Sequence, residues 1–185
     1  MAGIRLARVF HYLDGVYQHH GAVGFKLMYS QLYSYPELLL YFWTHHVRVV
    51  HLVRKNALDF VISQTLKRKI QKAHRLADEP PLEDVQVELD PKTLIQRLQV
   101  RQRKTKRGQM ILRLSGLQTI DIGYEDLQKD ASVFQSLCRF LSIETDAMPQ
   151  SRFQKVHRKS QGQIIKNYSE VKKALEGTHF LSYLE

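Results

Sequence analysis

The sequence predicts an α/β domain with a mostly parallel sheet flanked by helices, and three observations predict it. Residues 48–53 (RVVHLV) form a nearly continuous β-branched run, which is typical of a parallel strand covered on both faces. A short turn and an amphipathic helix follow at once. A second short run at 119–122 (TIDI) also leads into helical sequence. This alternation of strands and helices favours parallel pairing.

Upstream of the first of these strands, three further elements are expected. Apolar residues at near-helical spacing over 4–20 predict a helix that ends at Gly21. The run Ala22–Tyr29 (AVGFKLMY) predicts a short buried strand, and Pro36 suits the first turn of a helix over Pro36–Thr44. Because a buried lysine needs a partner, Lys26 in that strand is predicted to face a ligand, either a cofactor or a substrate.

Downstream of residue 53, the helix over 58–70 is predicted to begin at Asn56, a favourable N-cap residue. Residues 78–91 are acidic, carry prolines and are expected to be irregular or extended. A basic helix then runs from Leu94 to Gly108, which is expected to close it. A helix with Cys138 on its apolar face, a polar stretch over 152–166 and a short helix over 168–175 complete the chain.

Composition limits the function classes. The chain has 185 residues, 28 Lys+Arg against 18 Asp+Glu and a net charge of +10, so an anionic partner is expected. One cysteine excludes an internal disulfide and a multi-cysteine zinc site. No apolar run approaches the roughly 18 residues of a membrane span, and the start does not resemble a secretory signal. The nine histidines show no metal-ligand spacing. A single cytoplasmic domain, without a metal, is the expectation.

The residues after each strand are the candidates for chemistry, because ligands of open α/β sheets bind beyond the carboxyl ends of the strands. Arg54 follows the first strand, and Ser63 lies nine residues later on the next helix. An arginine and a hydroxyl in these places can converge on one anion. On position alone, however, Arg54 is better interpreted as a solvated cation and Ser63 as an ordinary helix residue.

Motifs in order along the chain resemble those of sulfotransferases that use 3′-phosphoadenosine-5′-phosphosulfate (PAPS), in particular the bacterial carbohydrate and nodulation type. Residues 50–63, with the Arg54–Ser63 spacing, resemble the strand–loop–helix that binds the 3′-phosphate. Residues 24–28 (GFKLM) are similar to an upstream strand, and 124–127 (YEDL) to a later motif. Arg158-Lys159-Ser160, followed by Asn167-Tyr168, resembles the basic loop that closes over the 3′-phosphate.

The resemblance implies a P-loop-like sulfotransferase fold, with PAPS as co-substrate and a hydroxyl acceptor that is expected to be a carbohydrate. Arg54 and Ser63 would hold the 3′-phosphate, Arg158 and Lys159 would clamp it, and Tyr124 would lie near the adenine. Without the resemblance, Tyr124 can equally be a core tyrosine. No residue is nominated as the catalytic base.

One part of the family pattern has no counterpart here. These enzymes open with a strand, a loop and a helix that hold the 5′-phosphosulfate, and an acidic base follows soon after. Nothing before Gly24 matches that unit. The expectation is therefore a single sulfotransferase domain over 1–185 whose N-terminal strand–loop–helix is missing, and which transfers no sulfate by itself.

The basic clusters leave a second function class open. Lysines and arginines over 67–75 and 97–107 could neutralise phosphates of a nucleic acid. No nucleic-acid-binding motif accompanies them, and a run of charges is usually a solvated face. The alternative to the enzyme is thus a catalytically inactive module that binds a nucleotide or another anion.

Overall fold

The computed structural model describes residues 2–18, 21–70, 75–76, 85–145, 153–154 and 160–184. These residues form a mixed α/β structure that is mostly helical, with one short parallel pair of strands. None of the described helices is long and apolar enough to cross a membrane. The chain divides into two compact units. The first unit is Met1–Val53 with Lys104–Asp146, and the second unit is Arg54–Arg103 with Ala147–Glu185.

The first unit combines helices with the parallel pair of strands. In chain order, its elements are α1 (Ala2–Val16), α2 (Tyr29–Ser34), α3 (Glu37–Thr44) and β1 (Val49–Val53). Later in the chain come β3 (Thr119–Gly123), α6 (Tyr124–Lys129) and α7 (Ala131–Leu141). β1 pairs with β3 in parallel, with Val49 opposite Thr119 and Val53 opposite Gly123. The predicted parallel pairing is confirmed.

The second unit is built on helix α4 (Ala57–Ile70) and the first half of α5 (Pro91–Leu114). Its remaining elements are β2 (Arg75–Leu76), β4 (Phe153–Gln154), α8 (Gln161–Ile164), α9 (Tyr168–Leu175) and a final 3₁₀ helix (His179–Tyr183). β2 and β4 pair antiparallel. Leu58, Leu94 and Leu98 are fully buried in one apolar cluster with α9 residues such as Val171. This cluster is the core of the second unit.

Three expectations about these elements are wrong. Residues 22–28 are irregular, and Tyr29 begins α2, so the predicted strand over 22–29 is absent. In β1, His51 is buried but Val50 and Leu52 are exposed. The strand is therefore covered on one face only. Gly108 lies inside α5 and does not end it.

Packing explains why position 108, inside α5, is occupied by a glycine. It is buried, and a Cβ built on it would lie 2.3 Å from Cε1 of Tyr29. The Tyr29 ring thus occupies the space that any other side chain at position 108 would need. A helix tolerates a glycine at a cost of about 1 kcal/mol, and here the close ring contact requires it.

The core of the first unit contains a buried tyrosine with a strongly shifted titration. Tyr41 is 1% exposed, and its hydroxyl donates to Asp14 Oδ1 at 2.8 Å. Burial, followed by this hydrogen bond and the Asp14 charge, raises the pKa of Tyr41 to about 12 from 10.0. The neutral phenol is therefore stabilised in the folded state.

Alkaline pH is accordingly expected to weaken the fold through Tyr41. The unfolded chain loses the phenolic proton first, so the contribution is complete below about pH 10 and is lost as the pH rises towards 12. A shift of about two pKa units at 1.36 kcal/mol each sets an upper limit of about 2.7 kcal/mol for the loss. Urea unfolding of the native chain and Tyr41→Phe across this range measures it. A constant difference between the two proteins would contradict the prediction.

Candidate functional site

The turn between β1 and α4 is fixed by Asn56. Its Oδ1 accepts hydrogen bonds from the backbone N–H groups of Leu58 at 2.9 Å and Asp59 at 3.2 Å. Its Nδ2 donates to the Tyr183 carbonyl at 2.8 Å. The predicted N-cap is therefore confirmed, and it ties the start of α4 to the final 3₁₀ helix within the second unit.

Arg54 contacts the backbone of α4 one helical turn before Ser63. Arg54 is half-buried, and its Nη1 lies 3.4 Å from the carbonyl oxygen of Asp59. In an α-helix, that carbonyl is the acceptor for the N–H of the fourth residue on, which is Ser63. Ser63 itself is exposed. The nine-residue spacing thus places the exposed Ser63 one helical turn from the backbone carbonyl that Arg54 contacts, and the role of the two residues in binding an anion stays a prediction.

The segment that follows the predicted basic loop is anchored on the same turn of α4. Gln161 is buried, and its Nε2 donates to Asp59 Oδ1 at 2.8 Å and to the Tyr183 carbonyl at 2.9 Å. Ser160 is the N-cap of α8. Arg158 and Lys159 lie outside the described residues. Gln161, two residues after Lys159, nevertheless contacts Asp59 in the first turn of α4.

Tyr124 belongs to the first unit. It is the first residue of α6 and follows the last residue of β3 directly, which confirms its predicted position at a strand end. Its side chain is half-buried. Glu125 and Asp126 lie in the first turn of α6, where carboxylates interact favourably with the helix dipole. The place of Tyr124 beside an adenine stays a prediction.

The structure removes the reason for predicting a ligand contact at Lys26. It was expected in a buried strand, but it is exposed in the irregular segment 22–28. An exposed ammonium is solvated by water and needs no ligand. The physical reason for a ligand-facing lysine at this position is therefore gone.

The basic stretch of α5 is not a fully solvated face. Arg97 is half-buried, and its Nη2 donates to Thr65 Oγ1 on α4 at 3.2 Å. The Arg101 guanidinium lies 3.8 Å from the centre of the Phe60 ring. Burial lowers the pKa of Arg97, and the nearby Arg68 charge lowers it further. Two of the predicted surface cations thus pack against α4.

Sequence reasoning missed a hydrogen-bonded cluster in the first unit. His51 is buried between Tyr29 and Asp121, with 2.5 Å from Nε2 to the Tyr29 hydroxyl and 2.5 Å from Nδ1 to Asp121 Oδ1. The available signal was a single histidine inside an apolar strand, because such a residue needs polar partners. No group of three or more potential ligands in the described ranges could hold a metal ion.

Comparison of the chain with protein-family models, with curated proteins and with solved structures gives no match. The sulfotransferase resemblance therefore rests on the motifs in the chain itself, and a functional proposal rests on those motifs together with the geometry around α4.

Proposed function

We propose that this chain belongs to a sulfotransferase domain and binds PAPS through its 3′-phosphate. Transfer of the sulfuryl group to a hydroxyl acceptor, a carbohydrate, also needs the 5′-phosphosulfate loop and the acidic base, for which this sequence has no counterpart, so the chain by itself is expected to bind the nucleotide without transferring sulfate. The observation that carries the proposal is that Arg54 and Gln161, which lies two residues after Lys159, both contact Asp59 in the first turn of α4, one helical turn before Ser63. Each belongs to a motif that resembles the 3′-phosphate site of these enzymes.

The chemistry of these groups suits a phosphate monoester. A guanidinium binds phosphate oxygens through two parallel N–H donors, and a serine hydroxyl adds a third donor. Asn56 keeps the turn in one conformation through its three hydrogen bonds. The backbone turn that follows Arg54 is thus held in place before the ligand arrives, which lowers the entropic cost of binding.

The proposal predicts discrimination between two nucleotides. 3′-Phosphoadenosine-5′-phosphate is expected to bind at least about tenfold more tightly than adenosine 5′-phosphate, a difference of about 1.4 kcal/mol, because only the former carries the 3′-phosphate. Isothermal titration calorimetry at one salt concentration measures both affinities. Equal affinities would overturn the proposal.

The same titration separates the enzyme from a nucleic-acid-binding module. A single-stranded oligonucleotide is expected to bind weakly and to leave the affinity for 3′-phosphoadenosine-5′-phosphate unchanged. Tight binding of the oligonucleotide that falls steeply with salt, together with loss of nucleotide discrimination, would instead identify a nucleic-acid-binding protein.

A further inference from the structure

Tyr29, His51 and Asp121 form a continuous hydrogen-bonded chain inside the first unit. Tyr29 is the first residue of α2, His51 is the central residue of β1, and Asp121 is its direct partner on β3. Both contacts to the imidazole are 2.5 Å long. His51 is 6% exposed, whereas the Asp121 side chain is 57% exposed.

The chemistry of the partners fixes the proton positions for a neutral imidazole. A carboxylate has only acceptor oxygens, so Nδ1 carries the hydrogen and donates to Asp121. Nε2 is then the unprotonated nitrogen and accepts from the Tyr29 hydroxyl. The order is a hydroxyl, a base that can take its proton, and a carboxylate that orients the base. This order is the signature of an activated nucleophile.

Packing holds the Tyr29 ring independently of the hydrogen bond. The backbone of Gly108 leaves the space that the ring fills, since a Cβ there would lie 2.3 Å from Cε1 of Tyr29. The Tyr33 ring lies nearly parallel to it, 6.4 Å away between centres. Tyr29 is half-buried. Its hydroxyl is therefore presented in one orientation.

We propose that Tyr29 is a nucleophile with His51 as its general base and Asp121 as the residue that positions the base. The electrophile is an activated carboxylic ester. Tyr29 Oη bonds to the ester carbonyl carbon as its proton passes to His51 Nε2, and the bond from that carbon to the leaving aryloxide breaks. Water then hydrolyses the acyl-tyrosine to the carboxylic acid and free Tyr29, and the imidazolium returns its proton to solvent. This activity requires residues of the first unit only and is independent of PAPS.

The test uses the full chain and p-nitrophenyl acetate. Release of p-nitrophenolate is followed by absorbance, and the acetylated residue is identified by peptide mass spectrometry. Tyr29 is expected to be acetylated at least about 10²-fold faster than Tyr12, the usual scale of a positioned general base. Tyr12 is 70% exposed and serves as the internal reference. Acetylation of Tyr29 no faster than that of Tyr12 would overturn the proposal.

Variants test each role. Tyr29→Phe is expected to abolish the rapid release of p-nitrophenolate that accompanies acetylation of Tyr29. His51→Gln is expected to slow acetylation of Tyr29 about 10²-fold relative to Tyr12. Asp121→Asn is expected to slow it about tenfold or more, and Asp121→Glu to recover part of the rate. Tyr35→Phe, at an exposed position, is expected to leave the rate unchanged.

A purely structural role gives a different result. If the hydrogen bonds among Tyr29, His51 and Asp121 only anchor α2 to the sheet, Asp121→Asn lowers the unfolding temperature but leaves the ratio of Tyr29 to Tyr12 acetylation unchanged. That result would show that the proposal is wrong. Asp121 is largely exposed, so this variant keeps the test decisive even where His51→Gln fails to fold. Nitrogen-15 shifts of His51 show directly whether the Nδ1–H form is lost in Asp121→Asn.

Discussion

Arg54→Ala is expected to weaken the binding of 3′-phosphoadenosine-5′-phosphate by about 1.5–3 kcal/mol, the scale of a hydrogen bond to a charged group. This corresponds to roughly 10- to 150-fold in Kd. The affinity for adenosine 5′-phosphate is expected to change little, because that nucleotide lacks the group that Arg54 would contact. Calorimetry with both nucleotides measures the two effects.

Two further variants make this result specific. Arg103→Ala removes the same charge from an exposed position of α5 in the second unit and is expected to leave the affinity within about twofold, because exposed charges act weakly through water. Ser63→Ala is expected to cost about 1 kcal/mol, as for one neutral hydrogen bond. If Arg103→Ala weakens binding as much as Arg54→Ala, the effect is one of net charge, and Arg54 has no special role.

Leu98→Ala is expected to lower the free energy of unfolding by about 3–4 kcal/mol. Leu98 is fully buried in the core of the second unit with Leu58, Leu94 and Val171. Truncation removes buried methyl groups and leaves a cavity that the surrounding helices fill only in part. Urea or thermal unfolding of the full chain measures the change.

Val100→Ala is the matched control for this substitution. It lies on the same helix, two residues away, but is 41% exposed. A change within about 0.5 kcal/mol is expected there. A loss at Leu98 no larger than at Val100 would mean that this part of α5 does not support the core.

Local signals predicted the β1–α4 region well. The β-branched run over 48–53 and the N-cap at Asn56 act through contacts close in sequence, so the pattern alone identifies them. The position of Ser63 on α4 also follows from local helical spacing. The parallel pairing of β1 was predicted from a longer pattern, the alternation of strands and helices that includes the run over 119–122.

The expectations that were wrong, and the cluster that was missed, depend on residues far apart in sequence. Gly108 ends a helix by local preference, but the Tyr29 ring packs against it and the helix continues. Residues 22–28 have strand-like composition and yet form no ladder with any described strand. The Nδ1 atom of the buried His51 is hydrogen-bonded to Asp121, which lies 70 residues later. No local pattern contains that partner.

The division of each unit between distant parts of the chain has a consequence during synthesis. β1 leaves the ribosome 70 residues before its partner strand, which at about 5–20 residues per second is an interval of about 4 to 14 s. The interval between synthesis of Asp59 and of its hydrogen-bond partner Gln161, 102 residues later, is longer still. During that time an apolar strand has no partner and the N-terminal half of the second core has no covering. We therefore expect the yield of folded chain in a cell to depend on protection of these nascent segments by chaperones as well as on the stability of the finished protein.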